Sequence, residues 1–187
     1  VVSLDLLFEQ PDPGQQGFQP PSWDFGDGAT ANISCAFHQY ASDGDYTVSE
    51  IVTTLDGRTA STSSIVPVRT HDVAITRLSA PLAARVGQTR PVTVEVKNTR
   101  YPETVQVQLL KSIPGQFGGF QTVGTLTQAV PIRTGNRTTS FGFNYTFTQD
   151  DATVGKVSFK AIATLVDKRD ALTGDNEAIS SPTKVSR

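Results

Sequence analysis

The catalytic chemistry open to this chain depends on very few nucleophilic and basic side chains. Its 187 residues include one cysteine, Cys35, and two histidines, His38 and His71. Nucleophilic catalysis needs a nucleophile, a base and a group that orients the base. The two histidines are well separated in the sequence, and neither has a plausible triad. A zinc site would need clustered histidines and cysteines, which the chain lacks. We therefore predict no catalytic residue and no enzyme activity.

Each of these three residues also has a structural interpretation. His38 is expected to pack beside the strand that contains Trp23, and His71 is expected to be a solvated linker residue. Ile33, Cys35 and Phe37 alternate with Ser34, Ala36 and His38, so Cys35 is predicted to be a thiol in a strand core. A single cysteine also excludes an internal disulfide.

Clustered carboxylates give the one metal hypothesis. Asp24 and Asp27 share a predicted turn, and a larger group precedes the last strand. That group consists of Asp167, Asp170, Asp175 and Asn176. Such oxygens, with loop carbonyls, could bind calcium. The alternative is that Asp and Asn simply form turns, and no twelve-residue calcium loop is present. The sequence predicts no cofactor other than calcium at these four residues.

The elements that would position these residues are strands. Trp23 and Phe25 alternate with Asp24, which places both aromatic rings on one face of an extended segment. Gly26-Asp27-Gly28 then supplies the residues that a tight turn requires. The pattern predicts a strand that runs into a hairpin.

Three motifs follow one another in this first part: W-D-F-G-D-G at residues 23–28, H-Q-Y at 38–40 and G-D-Y-T-V at 44–48. In this order they resemble the PKD domain, an immunoglobulin-like β-sandwich of extracellular proteins. The resemblance implies the fold and the setting but no partner. It places Trp23 and Tyr46 in the core.

The second part repeats a strict two-residue period. Apolar residues alternate with polar ones in Val92-Val94-Val96, Val105-Val107-Leu109, Phe141-Phe143-Tyr145-Phe147 and Val157-Phe159-Ala161. This period predicts strands with one buried and one solvated face, with Val94, Val107, Phe143 and Phe159 in the core.

Ordered short motifs in this part resemble the bacterial cell-adhesion-related domain called CARDB. They are Asp72-Val73-Ala74-Ile75, Gly87-Gln88-Thr89, the strand from Val92 to Asn98, and Asp175-Asn176. The chain departs from that pattern at Asn98-Thr99-Arg100, where the family usually has N-x-G. We therefore expect a differently built turn there.

The predicted fold is all-β, with two tandem immunoglobulin-like antiparallel β-sandwiches. The PKD-like domain spans residues 1–69 and the CARDB-like domain spans residues 70–187. No Gly/Ser-rich spacer separates them, so we expect a rigid or semi-rigid connection near Thr70.

Composition narrows the class of partner. The formal net charge is −2 and the basic residues are scattered, so we predict no nucleic-acid partner. No apolar run approaches the roughly 20 residues of a membrane-spanning helix. The chain has no methionine and enters a strand pattern at Val1, which suggests part of a longer extracellular polypeptide or a processed subunit.

Two classes of function remain. The first is a non-catalytic structural or adhesion module at the cell surface, in contact with other protein chains or copies of itself through edge strands and through the loop of Phe117 and Phe120. The second is an accessory region of a secreted hydrolase that presents substrate or binds carbohydrate. A sugar platform needs exposed aromatic rings, and the only tryptophan lies in the core motif, so the first class is preferred.

Overall fold

A computed structural model describes residues 2–5, 17–113 and 118–187 of the chain. It consists almost entirely of β-strands, which confirms the predicted fold class. Contacts between Cα atoms divide the chain into two compact units, Val1–Thr70 and His71–Arg187. Each unit is described by itself below.

The described residues of the first unit form two sheets. In the smaller, β1 (Val2–Asp5) pairs antiparallel with β4 (Phe37–Tyr40). The larger has the order β3-β2-β5-β6, again antiparallel, and its strands are β2 (Ser22–Asp24), β3 (Thr30–Asn32), β5 (Gly44–Thr53) and β6 (Thr59–Val68).

Large aromatic side chains dominate the core of the first unit. Its buried members are Trp23, Phe25, Ala36, Tyr40, Val48, Val66 and Val68. The predicted burial of Trp23 is confirmed. Tyr46 differs from its prediction because it is only half-buried, with its hydroxyl donating to the Ser42 carbonyl at 2.9 Å.

In the second unit, the part of the chain that the structure describes forms three sheets. The first has the order β11-β10-β14-β15, the second β12-β9-β7 and the third β13-β16-β8. The strands are β7 (Val73–Ser79), β8 (Ala83–Arg85), β9 (Thr89–Asn98), β10 (Glu103–Ser112), β11 (Phe120–Val130), β12 (Thr139–Thr146), β13 (Lys156–Val157), β14 (Phe159–Leu165), β15 (Glu177–Ile179) and β16 (Thr183–Ser186). All neighbouring pairs are antiparallel except β16 and β8, which are parallel.

The alternating runs of the sequence form the core of the second unit. Buried and non-buried residues alternate through the second half of β9 and along β10, β12 and β14. Because successive side chains of a strand point to opposite faces, each run buries one face. Val94, Val107, Phe143 and Phe159 are all buried, as predicted.

Two short helical segments interrupt the strands of the second unit. α1 (Gln149–Val154) starts at a capping box in which Thr148 and Asp151 each accept a backbone N–H of the other residue. A 3-10 turn at Thr173–Asp175 lies between β14 and β15.

Candidate functional site

The turn after β2 is fixed by its own carboxylates. Asp24 Oδ1 accepts the N–H of Gly26 at 2.9 Å, and Asp27 Oδ1 accepts the N–H of Ala29 at 3.1 Å. Gly26 has φ +78°, and a Cβ built on it would lie 2.6 Å from the Thr47 carbonyl oxygen. These residues therefore serve the turn, and position 26 requires glycine.

The motif histidine belongs to the same structure. His38 Nε2 lies 2.7 Å from Asp27 Oδ2, and the His38 ring stacks on Phe25 with the ring centroids 4.2 Å apart. The hydrogen bond with His38 lowers the pKa of Asp27. His38 thus contacts the loop residues after β2 and has the packing role that was expected.

Two aromatic residues connect this core to the backbone. Trp23 Nε1 donates to the Ile33 carbonyl at 3.0 Å, and the Tyr40 hydroxyl donates to the Phe25 carbonyl at 3.0 Å. Trp23 is only 3% exposed. It therefore offers no surface on which a sugar ring could stack.

The predicted burial of Cys35 is wrong. Cys35 is exposed, as are Ile33 and Phe37, whereas Ala36 and Tyr40 are buried. A bend at residues 33–35 separates β3 from β4, and the alternation resumes after it with the opposite phase. The apolar period of this stretch therefore does not mark a buried face.

His71 is not a solvated linker residue. Its Nδ1 lies 2.5 Å from Oε1 of Glu103, whose side chain is almost completely buried, and its ring contacts Tyr101. This carboxylate lies at the start of β10, a position that the local sequence around His71 does not reveal. Neither histidine hydrogen-bonds a serine, threonine or cysteine within the described ranges.

The predicted calcium candidates occupy different environments. Asp167 is exposed and has φ +61°. Asp170 accepts backbone N–H groups from Val73 at 3.1 Å and from Leu172 at 2.9 Å. Asp175 ends the 3-10 turn, and Asn176 follows it with only 5% exposure. Asp167 therefore does not share the environment of the other three.

Asp72 joins this region although sequence reasoning missed it. Burial raises the pKa of Asp72, and the negative charges of Asp170 and Asp175 raise it further, whereas Arg100 acts to lower it. Burial likewise raises the pKa of Asp175, with a contribution from Asp170. The three carboxyl groups therefore interact with one another. We define the Asp72 cluster as Asp72, Asp170, Asp175 and Asn176.

Within the described residues, no three Asp, Glu, His or Cys side chains are grouped as a preformed metal site. Any cation at the Asp72 cluster would therefore need oxygens of other kinds, such as amide and carbonyl groups.

The predicted contact loop is described only in part. Phe117 lies outside the described residues, so its prediction remains open. Phe120 begins β11 opposite Ser112 and is half-buried. Its side chain is therefore partly covered within its own unit.

The second unit also contains a buried ion pair. Lys111 Nζ lies 2.8 Å from Asp151 Oδ1, and the other carboxylate oxygen accepts the Tyr145 hydroxyl at 2.7 Å and the Thr148 N–H at 2.9 Å. Lys111 is 6% exposed and Asp151 0%. Both carboxylate oxygens of Asp151 therefore have donors. The ion pair joins β10 to α1 within the core.

Residues 4–68 match the family model of the PKD domain. The PKD-like prediction for the first unit is thereby confirmed. The PKD match covers the WDFGDG turn, His38 and the strands that hold them.

Part of the chain is also similar to a solved structure. It is similar to the crystal structure of a CARDB domain from Pyrococcus furiosus, determined in complex with di-metal ions. The two share 17% identity with a TM-score of 0.47, and the match covers 65% of this chain and 94% of that chain. The CARDB-like assignment of the second part stays a prediction. No curated protein matches the chain.

Proposed function

We propose that this chain is a non-catalytic module of an extracellular protein, serving as a spacer or subunit of a cell-surface assembly. PKD and CARDB domains are immunoglobulin-like modules often involved in extracellular protein interactions. No helix in the described part of the chain is long and apolar enough to cross a membrane. The proposed partners are neighbouring protein chains, beginning with copies of this chain, and include no nucleic acid.

The observation that supports this function best is the open edge of β6. β6 pairs with β5 along its whole length, and no described strand pairs with its other side. Residues 59–65 are all exposed, and Ile65 is 67% exposed. An edge of this kind presents unpaired N–H and C=O groups to which another strand can add.

The residues of this edge do little to prevent pairing. Residues 59–65 read Thr-Ala-Ser-Thr-Ser-Ser-Ile, without a charge or a proline. Proteins usually protect long edge strands with lysine, proline or inward-pointing charges. Protection of this kind begins only with Pro67 and Arg69. We therefore assign the β6 edge to strand addition by a neighbouring chain.

The absence of catalysis is part of the same proposal. Both histidines are engaged by carboxylates, His38 by Asp27 and His71 by Glu103. Cys35 is exposed. Neither histidine hydrogen-bonds a hydroxyl nucleophile in the described residues, so no pair of base and nucleophile is formed there. Both candidate bases are thus engaged in structural contacts, which supports a non-catalytic role.

The alternative is an accessory region of a secreted hydrolase. Its carbohydrate-binding form would need exposed aromatic rings arranged as a platform. Trp23 is buried, and the most exposed aromatic side chain in the described residues is Phe37, at 70%. With Phe18 at 39%, two exposed rings are described, and they give this alternative less support than the β6 edge gives to protein contact.

The test compares one substitution at two positions of the same sheet. Ser63 lies on the edge strand, and Ser49 lies directly opposite on the interior strand β5. We expect the unmodified chain to self-associate with rising concentration in sedimentation velocity. Ser63→Lys should abolish this association, whereas Ser49→Lys should largely retain it.

The contrary result is equally specific. A chain that stays monomeric at all concentrations, and that cosediments with an insoluble polysaccharide, would favour the hydrolase-accessory role. Equal loss of association in both lysine variants would locate the contact on the sheet face and not at the edge.

A further inference from the structure

The Asp72 cluster lies where the starts of two strands meet in the second unit. Asp72 immediately precedes β7, whereas Asp175 and Asn176 immediately precede β15. β7 contacts both β15 and the 3-10 turn. Asp170 is fixed beside Asp72, because its Oδ2 accepts the N–H of Val73. Residues that are distant in the sequence therefore meet in one region.

Three oxygens in this cluster are buried and have no hydrogen-bond partner. They are Asp72 Oδ1, Asp175 Oδ1 and Asn176 Oδ1. Asn176 is 5% exposed, so water does not reach its side chain freely. A buried acceptor without a donor is destabilising by about 1–3 kcal/mol, and native proteins contain few of them. Asp72 and Asp175 are near enough for their charges to interact, and Asn176 follows Asp175 in the sequence. Three such acceptors in one region point to a missing positive partner.

The charges of the cluster indicate the same partner. Three carboxyl groups act on one another in a partly desolvated place, and each deprotonation disfavours the next. Arg100 is the cation whose charge acts on Asp72, and it does not reverse the upward shift of the pKa of that carboxyl. A divalent cation would supply the remaining positive charge.

We propose that the Asp72 cluster binds a divalent cation of the calcium class. Calcium takes about six to eight oxygen ligands and accepts carboxylates, amide oxygens and backbone carbonyls together. The oxygens without partners belong to two carboxyl groups and one carboxamide, with no nitrogen or sulfur ligand, which disfavours zinc. Backbone carbonyls of the two loops would complete the shell, so no trio of acidic side chains needs to be preformed.

Asp167 provides a matched control in the same loop. It is exposed and lies outside the cluster, and its φ of +61° is one that asparagine also tolerates. Asp167→Asn therefore removes one negative charge from the loop without disturbing the backbone or the proposed ligands.

The experiment is isothermal titration of the chelator-treated full chain with calcium chloride, with thermal unfolding as a second measurement. We expect one binding event and a higher unfolding temperature with calcium. Asp72→Asn and Asp175→Asn should each weaken binding by about tenfold or more, whereas Asp167→Asn should leave it unchanged. Circular dichroism identifies any variant that fails to fold.

Three results would overturn the inference. The first is the absence of both heat and stabilisation at millimolar calcium, which would mean that the carboxyl groups are satisfied by shared protons. The second is equal weakening by Asp167→Asn, which would mean a diffuse charge effect. The third is retention of full affinity in both Asp72→Asn and Asp175→Asn. A negative calcium result would leave the proposal of self-association at the β6 edge unchanged, because that edge lies in the other unit.

Discussion

Polar groups stabilise the two units in different places. In the second unit they lie within the core, where Lys111, Asp151 and Tyr145 connect β10 and β12 to α1. In the first unit they lie at the loops, where Asp27 holds His38 and Trp23 donates to the backbone of Ile33. The larger apolar core of the second unit surrounds its ion pair, whereas the smaller core of the first unit depends on the loops that cover it.

This difference shows what each unit tolerates. A buried ion pair is sensitive to the loss of one partner, because the other charge then stays in an apolar environment. A loop held by short local hydrogen bonds is instead sensitive to backbone conformation. The following predictions test this contrast.

The largest effect is expected from Asp151→Ala. The substitution leaves the Lys111 ammonium buried without its carboxylate, which destabilises the fold by about 3–5 kcal/mol. Replacement of both partners, as in Lys111→Met with Asp151→Leu, should recover most of the loss. Urea unfolding followed by circular dichroism measures both, and fluorescence of Trp23, the only tryptophan, reports the first unit separately. If the single variant is as stable as the unmodified chain, the pair is not a core contact.

The first unit should respond most to Gly26→Ala. A side chain at a positive φ and against the Thr47 carbonyl is expected to destabilise the unit by about 1–3 kcal/mol. Gly28→Ala is the matched control, since its φ is +92° but no atom lies within 4 Å of the added Cβ. Trp23 fluorescence during unfolding should show the larger loss for Gly26→Ala. Equal losses would mean that the positive φ alone, and not the close approach of the Thr47 carbonyl, makes glycine necessary at position 26.

Acid should weaken the buried pair in a defined pH window. Burial alone would raise the pKa of Asp151, but hydrogen bonds from Lys111, from the Thr148 backbone and from Tyr145 outweigh it and lower that pKa. The contribution of Asp151 is therefore present above the unfolded value of about 3.9 and is lost as the pH falls through the lower folded value.

The double variant of Lys111 and Asp151 isolates this effect. The difference in unfolding free energy between the unmodified chain and that variant should stay constant near neutral pH. Below about pH 4 the unmodified chain should lose stability relative to the variant. A difference that does not change down to pH 2 would contradict the assigned role of the Asp151 charge.

The smallest effect is expected from Phe37→Ala in the first unit. Because this ring is 70% exposed, its loss should change the free energy of unfolding by no more than about 0.5 kcal/mol. Phe159→Ala in the second unit, at 0% exposure, should in contrast destabilise by about 3–5 kcal/mol. Similar values for the two phenylalanines would refute the reversed strand phase at β4.

The regular strands of the second unit could be predicted because their period is uninterrupted. Val92, Val94 and Val96 all face the core, and Phe141 and Phe143 do the same on β12. The stretch from Ile33 to Phe37 misled the same reasoning, because a bend resets the alternation without a glycine or proline to signal it. Periodicity predicts burial only while the strand continues.

The polar contacts between distant residues could not be predicted. Glu103 reaches His71 from another strand, and Asp72 meets Asp170 from the far end of the unit. Local sequence offers no signal for either encounter, since both depend on which strands become neighbours. The hydrogen bonds that Asp24 and Asp27 accept within one turn could be predicted from the sequence, because their partners lie two residues away.

The parallel pairing of β8 with β16 has a mechanical consequence. The last strand of the second unit runs beside β8 in the same direction, and the Val86 N–H extends the pairing by donating to the Ser186 carbonyl at 3.0 Å. Tension applied to the two ends of this unit acts first on β7, which pairs with β9. Once β7 has detached, the tension would pull β8 and β16 along their length in opposite directions. Their hydrogen bonds would then share the force in shear and would not open one at a time. We expect single-molecule stretching of this unit to show one high-force rupture, and a gradual low-force opening would contradict it.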